Sequence, residues 1–242
     1  MHSDGDNLVK KRRVKVKLLI DDADITEIKR LYEYYPIDGV TTNPSILSKT
    51  GRKPYEVLRE IRAFIGKKGD LHVQVVATDA DGIIRDAQSI MIELGEETYI
   101  KIPAVTEGFK AMKILKKSGY KLTGTAVYTP LQAYLAAKCG CDYIAPYVNR
   151  IDNLGYDGVE TVKKMQNIIE NNGFETKILA ASFRNSMQVL SLCEYGIAAA
   201  TCAPSVIDAF VRSAELDAAV AAFRKDFESL AGEGSNMRNI EY

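Results

Sequence analysis

Eight short apolar runs punctuate this chain, and helical patterns fill the gaps between them. The runs are VKLLID (16–21), DGVTT (38–42), LHVQVVA (71–77), TYIKIP (98–103), KLTGTAV (121–127), DYIAPYV (142–148), TKILAASF (176–183) and GIAAAT (196–201). Consecutive parallel strands need a long crossover, usually a helix, so strict alternation of strand and helix reads as repeated βαβ units. Eight such units within 242 residues point to a closed (β/α)8 TIM barrel of the α/β class. An open doubly wound sheet is the alternative. It would carry a GxGxxG turn after the first strand, and VKLLIDDAD has none.

The intervening segments carry helical signals. One spans Asp24 to Tyr35, and another opens at Thr78-Asp79 with Ile83, Ile84, Ala87, Ile90, Met91 and Leu94 at helical spacing. TEGFKAMKILKKSG reads as a helix with Thr106 as its cap and Gly119 as its stop. SAELDAAVAAFRKDFESLAG predicts an additional C-terminal helix. The expected organisation is a basic N-terminal extension over 1–15, the barrel with its terminal helix over 16–232, and a flexible tail over 233–242.

Charge and cysteine content remove several function classes. Lys+Arg and Asp+Glu are balanced at 32 each, which gives no field directed at nucleic acid, and the KKRR run reads as a solvated extension. The cysteines Cys139, Cys141, Cys193 and Cys202 form no CxxC pair and only two histidines are present, so no metal site is expected. Sparse thiols fit a reducing, cytoplasmic setting. No run of ~18 apolar residues predicts a membrane span, and the basic start lacks an apolar signal core.

Chemistry in such barrels sits at the carboxyl ends of the strands. That filter selects Asp21 after strand one, Asn43 in TTNPS, Gln74 on strand three, Lys101 on strand four, Thr125 on strand five, Tyr147 and Arg150 after strand six, and Ser182 and Arg184 after strand seven. Lys101 is the most demanding of these, because a charged ammonium in a packed strand costs several kcal/mol. Partial desolvation lowers an amine's pKa, and a neutral amine can attack a carbonyl to form an imine. Such chemistry needs an acid–base partner, for which Asp21, Tyr147 and a water held by Gln74 and Thr125 are candidates. Arg150, Ser182 and Arg184 together read as a phosphate site. A lysine beside arginines thus predicts a phosphorylated sugar as substrate.

The motifs IDDAD, DGVTTNPSI, VQVVATDADG, YIKIPAVTEGFKAMKIL, GTAVY, APYVNRID and ILAASFR occur in this order. Together they resemble the fructose-6-phosphate aldolase branch of the transaldolase family, over roughly residues 17 to 230. The resemblance implies a (β/α)8 barrel that works without a cofactor. It also implies Lys101 as the Schiff-base lysine, with Asp21 and Asn43 beside it. Gln74, Thr125 and Tyr147 would organise the catalytic water and its proton transfers, and Arg150, Ser182 and Arg184 would hold the phosphate. A homo-oligomer, pentamer or decamer, is implied too. Transaldolases of the family usually carry glutamate and phenylalanine where Gln74 and Tyr147 stand. The expected activity is therefore a class I aldolase interconverting fructose 6-phosphate with dihydroxyacetone and glyceraldehyde 3-phosphate. A transaldolase is the runner-up, and a pyridoxal phosphate enzyme or a non-catalytic sugar-phosphate binder are the remaining readings. Three features depart from the pattern: Asp22, where threonine or serine is usual, Thr123, where leucine is usual, and ATCAPSVI after strand eight, where a TLPLDV-like stretch is usual.

Overall fold

The computed structural model describes residues 15–240, so the expected basic extension, apart from Lys15, lies outside the described residues. The strands are β1 (Lys17–Asp21), β2 (Gly39–Thr41), β3 (Asp70–Gln74), β4 (Thr98–Pro103), β5 (Leu122–Val127), β6 (Tyr143–Pro146), β7 (Lys177–Ala180) and β8 (Ala199–Cys202). The helices are α1 (Ile25–Tyr34), α2 (Pro44–Lys49), α3 (Pro54–Ile65), α4 (Ala80–Leu94), α5 (Thr106–Lys117), α6 (Pro130–Lys138), α7 (Val148–Asp152), α8 (Gly158–Asn171), α9 (Ser186–Tyr195), α10 (Pro204–Asp208) and α11 (Ala214–Ala231). All strand pairs are parallel, and β8 returns to β1 to close the barrel. The eight-stranded reading of the sequence holds.

Side chains alternate across each strand, and both sets are buried. One set, including Ile20, Val40, Leu71, Val73, Ile100, Ile102, Ile144 and Ile178, is enclosed almost completely. The other points into the barrel, where Leu19, Tyr143, Leu179 and Ala199 pack together against Tyr99. Going up the barrel, the inward set turns from apolar to polar, through Asp21, Thr41, Gln74, Lys101 and Thr125.

The helices follow their local signals with one correction. Asp24, Asp79 and Ser213 cap α1, α4 and α11 through side-chain oxygens, as their positions before the helices predict. Thr106 does not cap α5: it is the first residue of the helix, and Val105 stands at the cap without a side-chain bond. Glu107 instead accepts from the Ala80 N–H (3.0 Å), tying the start of α5 to that of α4. The short helices α2, α7 and α10 went unread because five or six residues give no periodicity to detect.

The barrel unit ends at Val206, and a second compact unit begins at Ile207. Within that second unit, α11 carries no buried residue, and Leu216, Val220 and Phe223 stand exposed along it at helical spacing.

Gly108 shows how closely helix and strand approach beside the site. A Cβ there would lie 2.0 Å from the Pro103 carbonyl oxygen at the end of β4. Gly108→Ala must push α5 off the strand that carries Lys101. We expect a loss of about 1–3 kcal/mol, read as a lower urea midpoint at unchanged slope.

Candidate active site

Lys101 occupies the centre of the polar layer. Its strand lies in register with Gln74 of β3 on one side and Thr123 of β5 on the other. The side chain is only 4% exposed, and its Nζ donates to the Thr42 carbonyl (2.7 Å). Burial pushes the amine below its ordinary pKa, and the Asp21 charge opposes that shift. An amine moved towards its neutral form is a nucleophile for carbonyl carbon.

Asp21 ends β1, in register with Thr41. Burial pushes its carboxyl up, opposed by Lys101 and by the hydrogen bond from Thr41. Thr41 Oγ1 donates to Asp21 Oδ1 (2.6 Å) and lies 2.8 Å from Thr201 Oγ1. A hydroxyl has one proton, so with Thr41 committed to Asp21, Thr201 must donate to Thr41. This relay crosses the β8–β1–β2 seam and fixes the carboxylate that faces the lysine.

The opposite wall comes from β5 and β6. Their register shifts between Gly124 and Val127, and Ala126 sits in the left-handed region with φ 53°. Bulges of this kind re-aim side chains next to active sites. Thr125, inside the shift, places Oγ1 3.0 Å from the Tyr147 hydroxyl. Tyr147 is held by its own N–H on Val127 O (3.1 Å) and by a parallel bridge to Ala181. Burial raises the phenol pKa, with the Thr125 hydrogen bond opposing, so Tyr147 stays protonated and able to donate. The Arg150 guanidinium lies over the Tyr147 ring at 4.7 Å and donates to Tyr128 Oη (3.4 Å). Ser182, after β7, has φ 58°, and its carbonyl accepts from Asn149 N (2.9 Å). Two non-glycine residues held at positive φ beside one cavity are strain of the kind that gathers at functional sites.

These groups surround a cavity of about 240 Å³. That lies below the ~300–1,000 Å³ of sites for drug-sized ligands, so its occupant is small. Lys101, Asp21, Gln74, Tyr147, Asn43, Arg150 and Ser182 all line it. Thr125 stands behind Tyr147, fully buried. Arg184 is exposed and does not line the cavity, and its backbone N–H donates to Gln188 Oε1 (2.8 Å). Asn43 caps α2 through Oδ1 on Ile46 N (3.0 Å), so it also anchors the rim. Gln74 Oε1 is enclosed with no hydrogen-bond partner among the described residues, which marks an acceptor for a bound donor. A larger hollow of about 660 Å³ lies at the other end of the strands, beside Tyr143 and Lys177, without a comparable set of reactive groups.

Sequence reasoning missed Thr41, Ser45 and Thr201, and the carbonyl of Thr42. Ser45 lines the cavity one residue past the TTNP turn. Thr41 and Thr201 were legible in principle, as inward threonines at the ends of β2 and β8. The TTNPS stretch at the end of β2 draws attention to Asn43 instead of Thr41, and GIAAAT offers only Thr201 as a polar residue, a type common in any strand.

The fold and site define a (β/α)8 barrel with a buried lysine in its polar layer. Residues 18–241 match the Transaldolase/Fructose-6-phosphate aldolase family, and the chain belongs to it. The chain is 39% identical over 215 residues to a probable transaldolase of Geotalea uraniireducens (strain Rf4), covering 89% of this chain and 99% of that relative. It is 37% identical over 217 residues to a probable transaldolase of Coprothermobacter proteolyticus, covering 90% and 99%. It is 36% identical over 213 residues to a probable fructose-6-phosphate aldolase of Streptococcus pneumoniae, covering 88% and 96%. The family is one of lyases and transferases, and its members carry both names.

The Lys101–Asp21 coupling is testable without assuming a substrate. Reductive alkylation of Lys101 by a small aldehyde and borohydride should titrate with a midpoint below the ordinary lysine value of 10.5. Asp21 holds that midpoint up, so Asp21→Asn should move it lower still. A midpoint that rises in Asp21→Asn would contradict the electrostatics described here.

Proposed function

We propose that the protein is a fructose-6-phosphate aldolase acting through an imine on Lys101. The observation that carries this reading is the hydrogen-bonded pair of Tyr147 Oη and Thr125 Oγ1, 3.0 Å apart, in the wall of the lysine cavity. Neutral Lys101 attacks the C2 carbonyl of the sugar phosphate, and the carbinolamine takes up a proton from solvent and loses water to give a protonated imine. Asp21, whose carboxylate burial makes more basic than an exposed one, takes the C4 hydroxyl proton as the C3–C4 bond breaks. The bonding electrons move into the imine as an enamine, and glyceraldehyde 3-phosphate departs. A proton delivered to C3 through a water held by Gln74 and by Tyr147, whose hydroxyl Thr125 orients from behind, restores the imine. Hydrolysis then releases dihydroxyacetone and frees the amine.

Arg150 and Ser182 bind the phosphate in this scheme, at the mouth of the cavity. Arg184 joins them by swinging its exposed side chain over the end of β7. The bared Leu216, Val220 and Phe223 of α11 support a homo-oligomeric assembly.

The transaldolase reading draws on the names of the relatives from Geotalea and Coprothermobacter. Both reactions share every step as far as the enamine. An aldolase must protonate that carbon, whereas a transaldolase must protect it until an acceptor aldehyde arrives. A phenol can hand a hydrogen bond to the water at this point and a phenyl ring cannot. Gln74 can hold that water without adding a negative charge.

Borohydride with dihydroxyacetone should attach a three-carbon adduct to the peptide holding Lys101, and Lys101→Met should abolish both adduct and turnover while remaining folded. Tyr147→Phe should lower release of dihydroxyacetone from fructose 6-phosphate by up to about 10²-fold and raise the ratio of transfer to cleavage. Wild type that transfers to erythrose 4-phosphate faster than it cleaves would make transaldolase the better reading.

For the phosphate site, Arg150→Ala should raise KM for glyceraldehyde 3-phosphate in the synthetic direction by roughly ten- to a hundredfold, the scale of a lost charge-assisted pair. Arg184→Ala should do the same if its side chain closes over the ligand. KM for unphosphorylated dihydroxyacetone should barely move in either variant. Equal changes for the two substrates would make the arginines structural.

A further inference from the structure

One polar pair in the barrel has no part in the chemistry above. His72 and Thr123 are both fully buried, and neither lines the cavity. His72 lies on β3, two residues before Gln74 and on the same inward face, in register with Tyr99 of β4. Thr123 lies on β5, in register with Lys101 of β4. His72 Nδ1 and Thr123 Oγ1 are 2.9 Å apart. Strand β4 runs between β3 and β5, so this hydrogen bond crosses its inner face between two inward side chains, Tyr99 and Lys101. The imidazole stacks on the Tyr99 ring, 4.4 Å between centroids and 8° from parallel, and meets the edge of Tyr143 at 5.4 Å. The next inward side chain up β4 is Lys101.

An apolar pair would fill this layer at lower cost. Two enclosed polar groups must be desolvated, and His72 Nε2 has no hydrogen-bond partner among the described residues. Burial holds the imidazole well below its ordinary pKa, and the charges of Lys101, Lys17 and Arg62 add to that. The ring is therefore neutral, and it puts no second cation under the amine.

We propose that His72 and Thr123 are a positioning pair for Lys101. Their hydrogen bond, braced from below by Tyr99, spans β4 under the lysine stem and keeps the amine at the Thr42 carbonyl and in the field of Asp21. The pair acts through Lys101 and touches no substrate, and the inference rests on the imine reading above.

The test compares Thr123→Val, Thr123→Ser, His72→Phe and the double variant His72→Phe/Thr123→Val with wild type. Three quantities are measured: the rate of borohydride trapping of dihydroxyacetone on Lys101, kcat and KM for fructose 6-phosphate, and Tm. Thr123→Val keeps the shape and loses the hydroxyl, while Thr123→Ser keeps the hydroxyl and loses a methyl. A positioning pair predicts that Thr123→Val slows trapping and kcat by roughly ten- to a hundredfold with KM little changed, the scale of a sub-ångström misplacement. Thr123→Ser should then retain several times the rate of Thr123→Val. The double variant leaves no orphaned partner, so it should recover Tm lost in the single variants without recovering the trapping rate.

If Thr123→Val traps as fast as Thr123→Ser, or if the double variant regains rate and Tm together, the pair is core packing and the proposal fails. Wild type that yields no adduct at all would overturn the imine reading itself, and that outcome is separable because it needs no variant.

Discussion

The structure depends on how a lysine is kept inside a barrel. Lys101 is 4% exposed, and a lone ammonium at that depth would be intolerable. Two things make it tolerable. One is the Thr42 carbonyl, 2.7 Å from Nζ, which offers a fixed acceptor at the end of β2. The other is the Asp21 charge, which opposes the downward shift that burial imposes on the amine. Burial shifts the carboxyl upward in the same way, so each group of the pair is drawn towards its neutral form. Coupled buried charges are weak evidence for stability, because desolvation of both offsets their attraction. The lysine's presence in a strand that could have been apolar is better explained by chemistry.

Holding that pair requires a frame that does not yield. The Thr201–Thr41–Asp21 relay ties three strands across the closing seam, with bonds of 2.8 and 2.6 Å. On the far side, the shifted register of β5 turns Thr125 towards Tyr147, and the backbone bonds of Tyr147, Val148 and Asn149 join the end of β6 to those of β5 and β7. Ala126 and Ser182 remain in the left-handed region, at a cost of about 1–2 kcal/mol for each L-residue. Apolar packing between sheet and helices over-determines the fold and sustains that strain.

Much of this was legible in the residues, for identifiable reasons. Parallel strands buried on both faces read as continuous apolar runs, so all eight appeared with boundaries close to those observed. Lys101 stood out because it interrupts such a run. The barrel rule about strand ends then selected Asp21, Gln74, Tyr147 and Arg150, which meet in one cavity. What escaped was information that resides in three dimensions. Thr201 can be read as an inward threonine at a strand end, but its partner Thr41 is set only when β8 closes on β1 and β2. The register shift at Thr125 is invisible because Ala126 is no glycine and gives no warning of a positive φ. Thr106 matched a cap motif, yet the helix began one residue early and the cap fell to Val105. Arg184 follows Ser182 by two residues, but an exposed side chain beyond the strand end is not aimed by the barrel, so adjacency in sequence did not bring it into the cavity.

Relatives at 36% and 39% identity over nearly the whole chain carry two different activity names. A barrel makes demands of its own on a sequence, among them apolar strands, helix caps and glycines such as Gly108, where a Cβ would lie 2.0 Å from the Pro103 carbonyl oxygen. These demands are the same for cleavage and for transfer, because in the proposed scheme both reactions need the same lysine held in the same place. The two outcomes part only after the carbon–carbon bond has broken, when the enamine either receives a proton or waits. In the proposed scheme that step falls to few atoms, namely the Tyr147 and Thr125 hydroxyls and the Gln74 amide, whose Oε1 has no partner among the described residues. A single oxygen on Tyr147 therefore bears more on the choice between the two names than similarity summed over the other positions. The inference to function has to be made at that oxygen, by asking where its proton goes.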